Sequence, residues 1–374
     1  MKNDKMFSSL TISINKAKAD EVIDECFKLG VSNLFVETGR SSVIEPSTGI
    51  KKLVSPVRLA YDPIEIINVM VEYGYEDDLM AHIYHTFDFG TPGRGSIHLV
   101  DAQFIAAYDH FKINDGLQIP KPQPASFFTE LKCVTCIVQR GEGDMIANLA
   151  LNSGACVPTT TYGTGSGVRD KLGLLRITIP ANKDLVSLVI SHHDLENLLE
   201  LFITQGRLDE PGQGIVYCYP VTKGIVNTKI SRGGAFQAAS MEQVVSALDT
   251  LTGGLDWRRS KLEIRNHRAR SYIEAPTELY LICKEGYGTE LMEIAMDNGA
   301  PGATIGRTRC LSNSDDAHQN SIREICRMIV SPDSVDSIST ALDQAGAFKD
   351  EMMSLLYAKQ LERAFTYLGK TKVD

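Results

Sequence analysis

Three tandem copies of one β-α-β-β-α-β unit, an α+β architecture, are what this 374-residue sequence predicts. Three observations carry the expectation. "LTISINKAKADEVIDECFKLGVSNLFVETG" (10–39) runs ungapped beside "VTCIVQRGEGDMIANLALNSGACVPTTTYG" (134–163) at a constant offset of 124, and "LYLICKEGYGTELMEIAMDNGAPGATIGRT" (279–308) runs beside the second at an offset of 145. One glycine coincides in all three, as Gly30, Gly154 and Gly299. The stretches that follow also share their order of apolar and polar runs, and a repeat of this length is an architectural signal in its own right.

Each element has a local reason. The units open on strand-type residues, Leu10 to Ile14, Val134 to Val138 and Leu279 to Cys283, and a polar turn follows. Apolar positions then recur at helical spacing: Val22, Cys26 and Phe27; Ile146, Leu149 and Ala150; Leu291, Ile294 and Ala295. The shared glycine stops each helix, because the position after a helix often takes the left-handed backbone that glycine tolerates. A second strand comes next, then a third in "EIINVMVE" (65–72), "KDLVSLVI" (183–190) and "REICRMIV" (323–330). Second helices are predicted over 77–89, 194–206 and 334–346, and closing strands over 97–102 and 216–221. The third copy ends in "GAFKDEMMSLLYAKQLERAFTYL" (346–368), which carries no glycine pair and reads as helical.

This order is that of the ferredoxin-like split motif, a sheet with helices on one face. The uncovered apolar faces need a cover, so the expected fold is three ferredoxin-like repeats packed as an intramolecular pseudo-trimer, one chain forming its own trimer-like body. The expected units are repeat 1 over 1–109, a linker over 110–128, repeat 2 over 129–230, a second linker over 231–276, and repeat 3 over 277–374. The second linker combines an amphipathic helix, "SMEQVVSALDTLTGG" (240–254), with a basic run, "DWRRSKLEIRNHRAR" (256–270).

Bulk composition narrows function. Hydrophobic residues make up 43% and charged residues 23%, as in a globular protein, and a net charge of −9 argues against a protein that coats nucleic acid. No signal-type apolar core and no long apolar run appear, so a soluble, cytoplasmic chain without membrane insertion is expected. The eight cysteines fall mostly in apolar patterns and read as reduced core thiols. "CVTC" (133–136) has zinc-half-site spacing, but in a strand these side chains point to opposite faces. "SHHD" (191–194) lies at a strand-to-helix junction where Asp194 suits a helix cap. No Walker loop, nucleophile elbow or His-Glu-x-x-His helix is present, and no enzyme is expected.

Two stretches carry a family resemblance. "GAPGATIGRTR" (299–309) and "ITQGRLDEPGQGIVYCYPV" (203–221), within three in-order copies, resemble the PII signal-transduction family, over roughly residues 7–105, 130–230 and 277–360. The resemblance implies binding of an adenine nucleotide or other small anion in clefts between copies, and regulation of a partner protein through loops after the second strands. It implies phosphate contacts from the Gly93, Arg94 and Gly95 turn, from Gly212, Gln213 and Gly214, and from Arg169, Lys171, Arg307 and Arg309. The sequence also departs from the family. Ile215 and Ser96 stand where the turn's lysine is usual, Lys229 only partly replaces a missing arginine pair, and the third copy lacks the turn. At most two competent clefts are therefore expected. A Pro-Gly-x-Gly turn is equally a tight lead into a strand. A scaffold that binds a partner without a small ligand, or an enzyme working in the clefts, are the other readings.

Overall fold

The computed structural model describes residues 5–47, 57–167, 182–232, 270–313 and 321–367. The first segment runs β1 (Lys5–Asn15), α1 (Lys16–Lys28), β2 (Asn33–Pro46), β3 (Val57–Val71), α2 (Glu76–Thr86) and β4 (Gly95–Ala107). The second runs β5 (Leu131–Gln139), α3 (Gly143–Asn152), β6 (Thr159–Gly167), β7 (Asn182–Ser191), α4 (Leu195–Thr204), β8 (Gly214–Val221) and β9 (Lys223–Ile225). The third runs β10 (Ile273–Glu274), β11 (Thr277–Lys284), α5 (Gly288–Asp297), β12 (Gly302–Ser312), β13 (Ser321–Val330), α6 (Val335–Gln344), β14 (Leu355–Gln360) and β15 (Arg363–Thr366).

The assembly of these strands corrects the expected fold class. In place of three ferredoxin-like α+β repeats packed as a pseudo-trimer, the described strands join edge to edge into one antiparallel sheet of 15 strands. Nine of them, in the order β6-β12-β13-β11-β14-β4-β1-β3-β2, close on themselves through β2–β6 pairing to form a barrel. The joints are backbone hydrogen bonds. Ala303 of β12 pairs with Ser166 of β6, Leu356 of β14 with Ala106 of β4, and Arg40 of β2 with Thr160 of β6. Strand edges that a separate module would leave unpaired are satisfied by the next segment, which removes the aggregation hazard of an open edge. Short strands after β8 and β14 add further ties, β9 to β4 and β15 to β8.

Strand alternation explains the two-sided burial. On β1, Leu10, Ile12 and Ile14 pack under α1 and α2, whereas Thr11 and Ser13 turn into the barrel. On β5, Val134, Cys136 and Val138 join the helix-side core, and Cys133 and Thr135 face inward. Leu279, Leu281 and Cys283 of β11 lie under α5 and α6, with Tyr280 and Ile282 inward. Three helix-covered cores therefore wrap the outside. Two apolar clusters lie on the faces turned away from these helices, one including Phe7, Phe35, Phe111 and Tyr357, the other Leu131, Ile137, Tyr219 and Val221 on β5 and β8, which join the sheet outside the nine-strand ring.

One local expectation is also corrected. The 346–368 stretch is not helical: it forms β14 and β15, because Leu355 to Lys359 is buried on both faces and pairs with β4 and β11. The 110–128 connection, expected as a linker, is tied down at its start. Phe111 and Ile113 are buried, and Asn114 accepts from the Ser32 amide at 2.7 Å while its Nδ2 donates to the Met70 carbonyl at 2.8 Å. The amphipathic helix expected over 240–254, and all of the basic run except Arg270, lie outside the described residues. Among the described residues no helix is long and apolar enough to cross a membrane.

Candidate functional site

A cleft forms where the turn before β4 meets the segment after β9. Its walls come from Ser13 and Asn15 of β1, Ser41 of β2, Asp62 of β3, Gly93 to Ser96, Thr159 of β6, and Asn227 to Arg232, around a cavity of about 170 Å³. The sequence places Gly93 (φ +93°) and Gly95 (φ +147°) here for steric reasons. A Cβ on Gly95 would stand 2.0 Å from the Ser13 carbonyl oxygen, and one on Gly93 would stand 2.6 Å from Cδ of Lys229, whose stem crosses the turn.

Two of the turn's backbone amides, which the resemblance would give to an anion, are engaged within the chain. The Gly93 amide donates to Asn227 Oδ1 at 3.1 Å, and the Arg94 amide donates to the Thr91 carbonyl at 3.2 Å. Side chains supply the positive charge instead. Among the described residues Arg94 has only an exposed, 3.7 Å contact with Asp88, a pairing of small worth in water. The Lys229 ammonium has no acceptor among the described residues. Arg232, at the far side, is held by Asp62 and by Glu45 at 3.4 Å. Arg94 and Lys229 are thus the lightly engaged cations of this cleft.

The other predicted residues are not gathered with them. Gly214 (φ +140°) repeats the steric logic of Gly95, since its Cβ would stand 2.2 Å from the Ile137 carbonyl oxygen. Around that second turn, however, Gln139 Nε2 donates to the Gly212 carbonyl at 3.3 Å, Gln213 faces Glu142, and Glu210 binds Arg207 at 2.5 Å. Its surroundings are acidic or already paired. Arg307 and Arg309 line a separate groove of about 620 Å³ with Arg140 and Tyr162. Each of its arginines has a carboxylate: Arg307 with Glu285 at 3.1 Å, Arg309 with Glu65 at 2.6 Å, and Arg140 with Asp184 at 3.3 Å. Arg169 and Lys171 lie outside the described residues.

Glu130, His192 and His193 bring three potential ligand atoms within 4.8 Å of one another. Asp194 stands at the N-cap position of α4 without a side-chain cap bond, and Ser191 caps the short 3-10 turn before it, accepting from the His193 amide at 3.3 Å. All eight cysteines are free and buried. Burial pushes the Cys133 thiol up to about 11 and Cys136 higher still, which makes both poor nucleophiles at neutral pH.

Sequence reasoning missed the barrel interior altogether. Strands from all three segments enclose a polar cavity of about 100 Å³ that includes Glu37, His98, Tyr217, Tyr280, Arg327 and Lys359. Arg327 Nη2 donates to both oxygens of Glu37, at 2.6 and 2.7 Å, with both side chains under a tenth exposed. The Tyr217 hydroxyl donates to Glu278 Oε1 at 2.6 Å. Burial raises the Glu278 carboxyl above the usual carboxylate range and lowers the Lys359 ammonium. The available signal was a charged residue at an inward position of an otherwise apolar strand, as in "LLYAKQ" and "REICRMIV".

His98 gives a pH prediction. Burial, and behind it the charge of Lys359, hold its imidazole down to about 3 from 6.5. The folded chain keeps it neutral while the unfolded chain takes up a proton below 6.5, so its contribution is complete above that pH and is lost as pH falls toward 3. Chemical denaturation from pH 7 to 4 should show up to about 1.4 kcal/mol per pH unit from this one group. His98→Gln should flatten that slope, and an unchanged slope would remove the assignment.

Comparison of the chain with protein-family models, with curated proteins and with solved structures finds no match.

Proposed function

We propose that this is a PII-like ligand-responsive regulatory protein that takes a small phosphorylated or similar anionic ligand in the cleft between the Gly93–Gly95 turn and the 227–232 segment. The observation that carries the reading is the convergence of Arg94 and Lys229 on one cavity, where among the described residues Arg94 has only the exposed 3.7 Å contact with Asp88 and Lys229 has no carboxylate partner. About 170 Å³ accommodates a phosphate group, and the rest of a nucleotide would extend beyond the enclosed part. That agrees with the missing turn lysine, which disfavours triphosphate binding of the usual kind. The acidic surroundings of Gly212 to Gly214 support one competent cleft of this type. Regulation of a partner protein follows from the family resemblance. The chemistry proposed is binding without turnover.

A melting-temperature panel of orthophosphate, pyrophosphate, AMP, ADP and ATP tests it. One or more should raise the midpoint saturably, since a ligand that binds only the folded state stabilises it by mass action. Lys229→Ala should weaken the response about tenfold, the scale of one charge-assisted hydrogen bond. Silence across the panel would favour the ligand-free scaffold.

A further inference from the structure

Lys359 stands on β14 with its side chain turned into the barrel, and the residue is only 5% exposed. Its ammonium lies 4.9 Å from the ring centroid of Tyr280 and 5.5 Å from that of Tyr219, and among the described residues no carboxylate is within ion-pair distance of it. Cation–π contacts offset only part of the several kcal/mol that burying an ammonium costs. Two further polar atoms in this wall have no partner, Nδ1 of His98 and Nη1 of Arg327. Glu37 is matched to Arg327, and Glu278, which acts on Lys359 through space, stands outside the cavity lining with one oxygen on Tyr217, so among the described residues the ammonium still lacks a hydrogen-bond acceptor of its own.

We propose that the barrel interior binds one small monoanion of three or four heavy atoms, of the carboxylate or bicarbonate class, against the Lys359 ammonium, with His98 and Arg327 Nη1 beside it. The cavity volume of about 100 Å³ sets the size limit. It equals roughly three waters' share of liquid volume, enough for a planar anion and too little for a sugar phosphate. The inward hydroxyl of Ser13, and that of Thr135 when Ser187 donates to it, give the anion's remaining oxygen lone pairs donors to meet, whereas the Thr11 hydroxyl already donates to Asn68 Oδ1 at 2.9 Å. This cavity adjoins the Arg94–Lys229 cleft, sharing Ser13, Ser96, Val157 and Thr159 with it, and differs from it in size, in the cation that faces it and in ligand.

Formate, acetate, bicarbonate and benzoate are titrated into the full chain at pH 7, with sulfate holding ionic strength constant, by calorimetry and by melting temperature. The expected result is a single saturable site per chain for the three small anions and no site for benzoate. Lys359→Met should raise Kd at least about tenfold, and the Arg94→Ala/Lys229→Ala variant should leave it unchanged. Absence of a saturable response in the native sequence would mean that water alone fills the cavity, and would overturn the proposal. So would an undiminished response in Lys359→Met. Should that variant not fold, the size series decides: benzoate binding as well as formate would overturn the proposal, and benzoate exclusion would support it.

Discussion

Glu37→Ala is expected to cost the fold about 3–5 kcal/mol, the range for breaking a buried ion pair from one side. The cost arises from what is left behind. Arg327 would keep its full charge inside the barrel, having lost the carboxylate that now accepts at 2.6 and 2.7 Å from Nη2. Its other terminal nitrogen already lacks a partner, so no alternative acceptor is at hand. The pair also joins segments, since Glu37 belongs to β2 and Arg327 to β13. Removing both charges in Glu37→Leu/Arg327→Met should recover most of the loss, because the desolvation of both ions disappears with them. Urea unfolding of the two variants measures this. A single-variant cost below about 1 kcal/mol would show that water reaches the pair, and that the barrel is less closed than the strand pairings require.

Gly95→Ala and Gly214→Ala should each cost about 2–5 kcal/mol, combining left-handed backbone strain with overpacking. The new methyl groups would stand 2.0 Å from the Ser13 carbonyl oxygen and 2.2 Å from that of Ile137, and backbone atoms cannot step aside as a flexible side chain would. These contacts sit where β4 and β8 begin their pairing with β1 and β5, so relief means unpairing the strand ends. Gly74→Ala is the control. It has φ +103° with nothing within 4 Å of the added carbon, so only the backbone term applies, about 1 kcal/mol. Equal losses at Gly74 and Gly95 would mean that the close approach carries no energy of its own.

The sequence made the local elements legible wherever periodicity was one-sided. Val22, Cys26 and the glycine at 30 mark a helix and its stop, and α1 with its left-handed Gly30 stands there. Closure of the barrel was not legible, because inward residues such as Thr11, Ser13 and Thr135 look like the polar face of a solvated strand. Alternation gives two faces without naming what each one meets. The end of the third segment was misread for a related reason: Leu355, Leu356, Tyr357 and Ala358 form a continuous apolar run, which periodicity alone cannot assign to a doubly buried strand rather than a helix. With that strand went Lys359 and the charged interior. The glycines of both Pro-Gly-x-Gly turns were found as a pattern, but whether a turn serves a ligand depends on distant neighbours. Lys229 crosses the first, while Glu142 and Glu210 surround the second.

The cleft reading is tested most directly by calorimetric titration of the full chain with ADP and with orthophosphate, for the native sequence and for Arg94→Ala/Lys229→Ala. One site per chain, abolished in the double variant while its melting temperature stays within about 2 °C of the native value, is the predicted result. These two exposed side chains carry little of the fold. No binding heat in the native chain, or equal binding in the double variant, would contradict it.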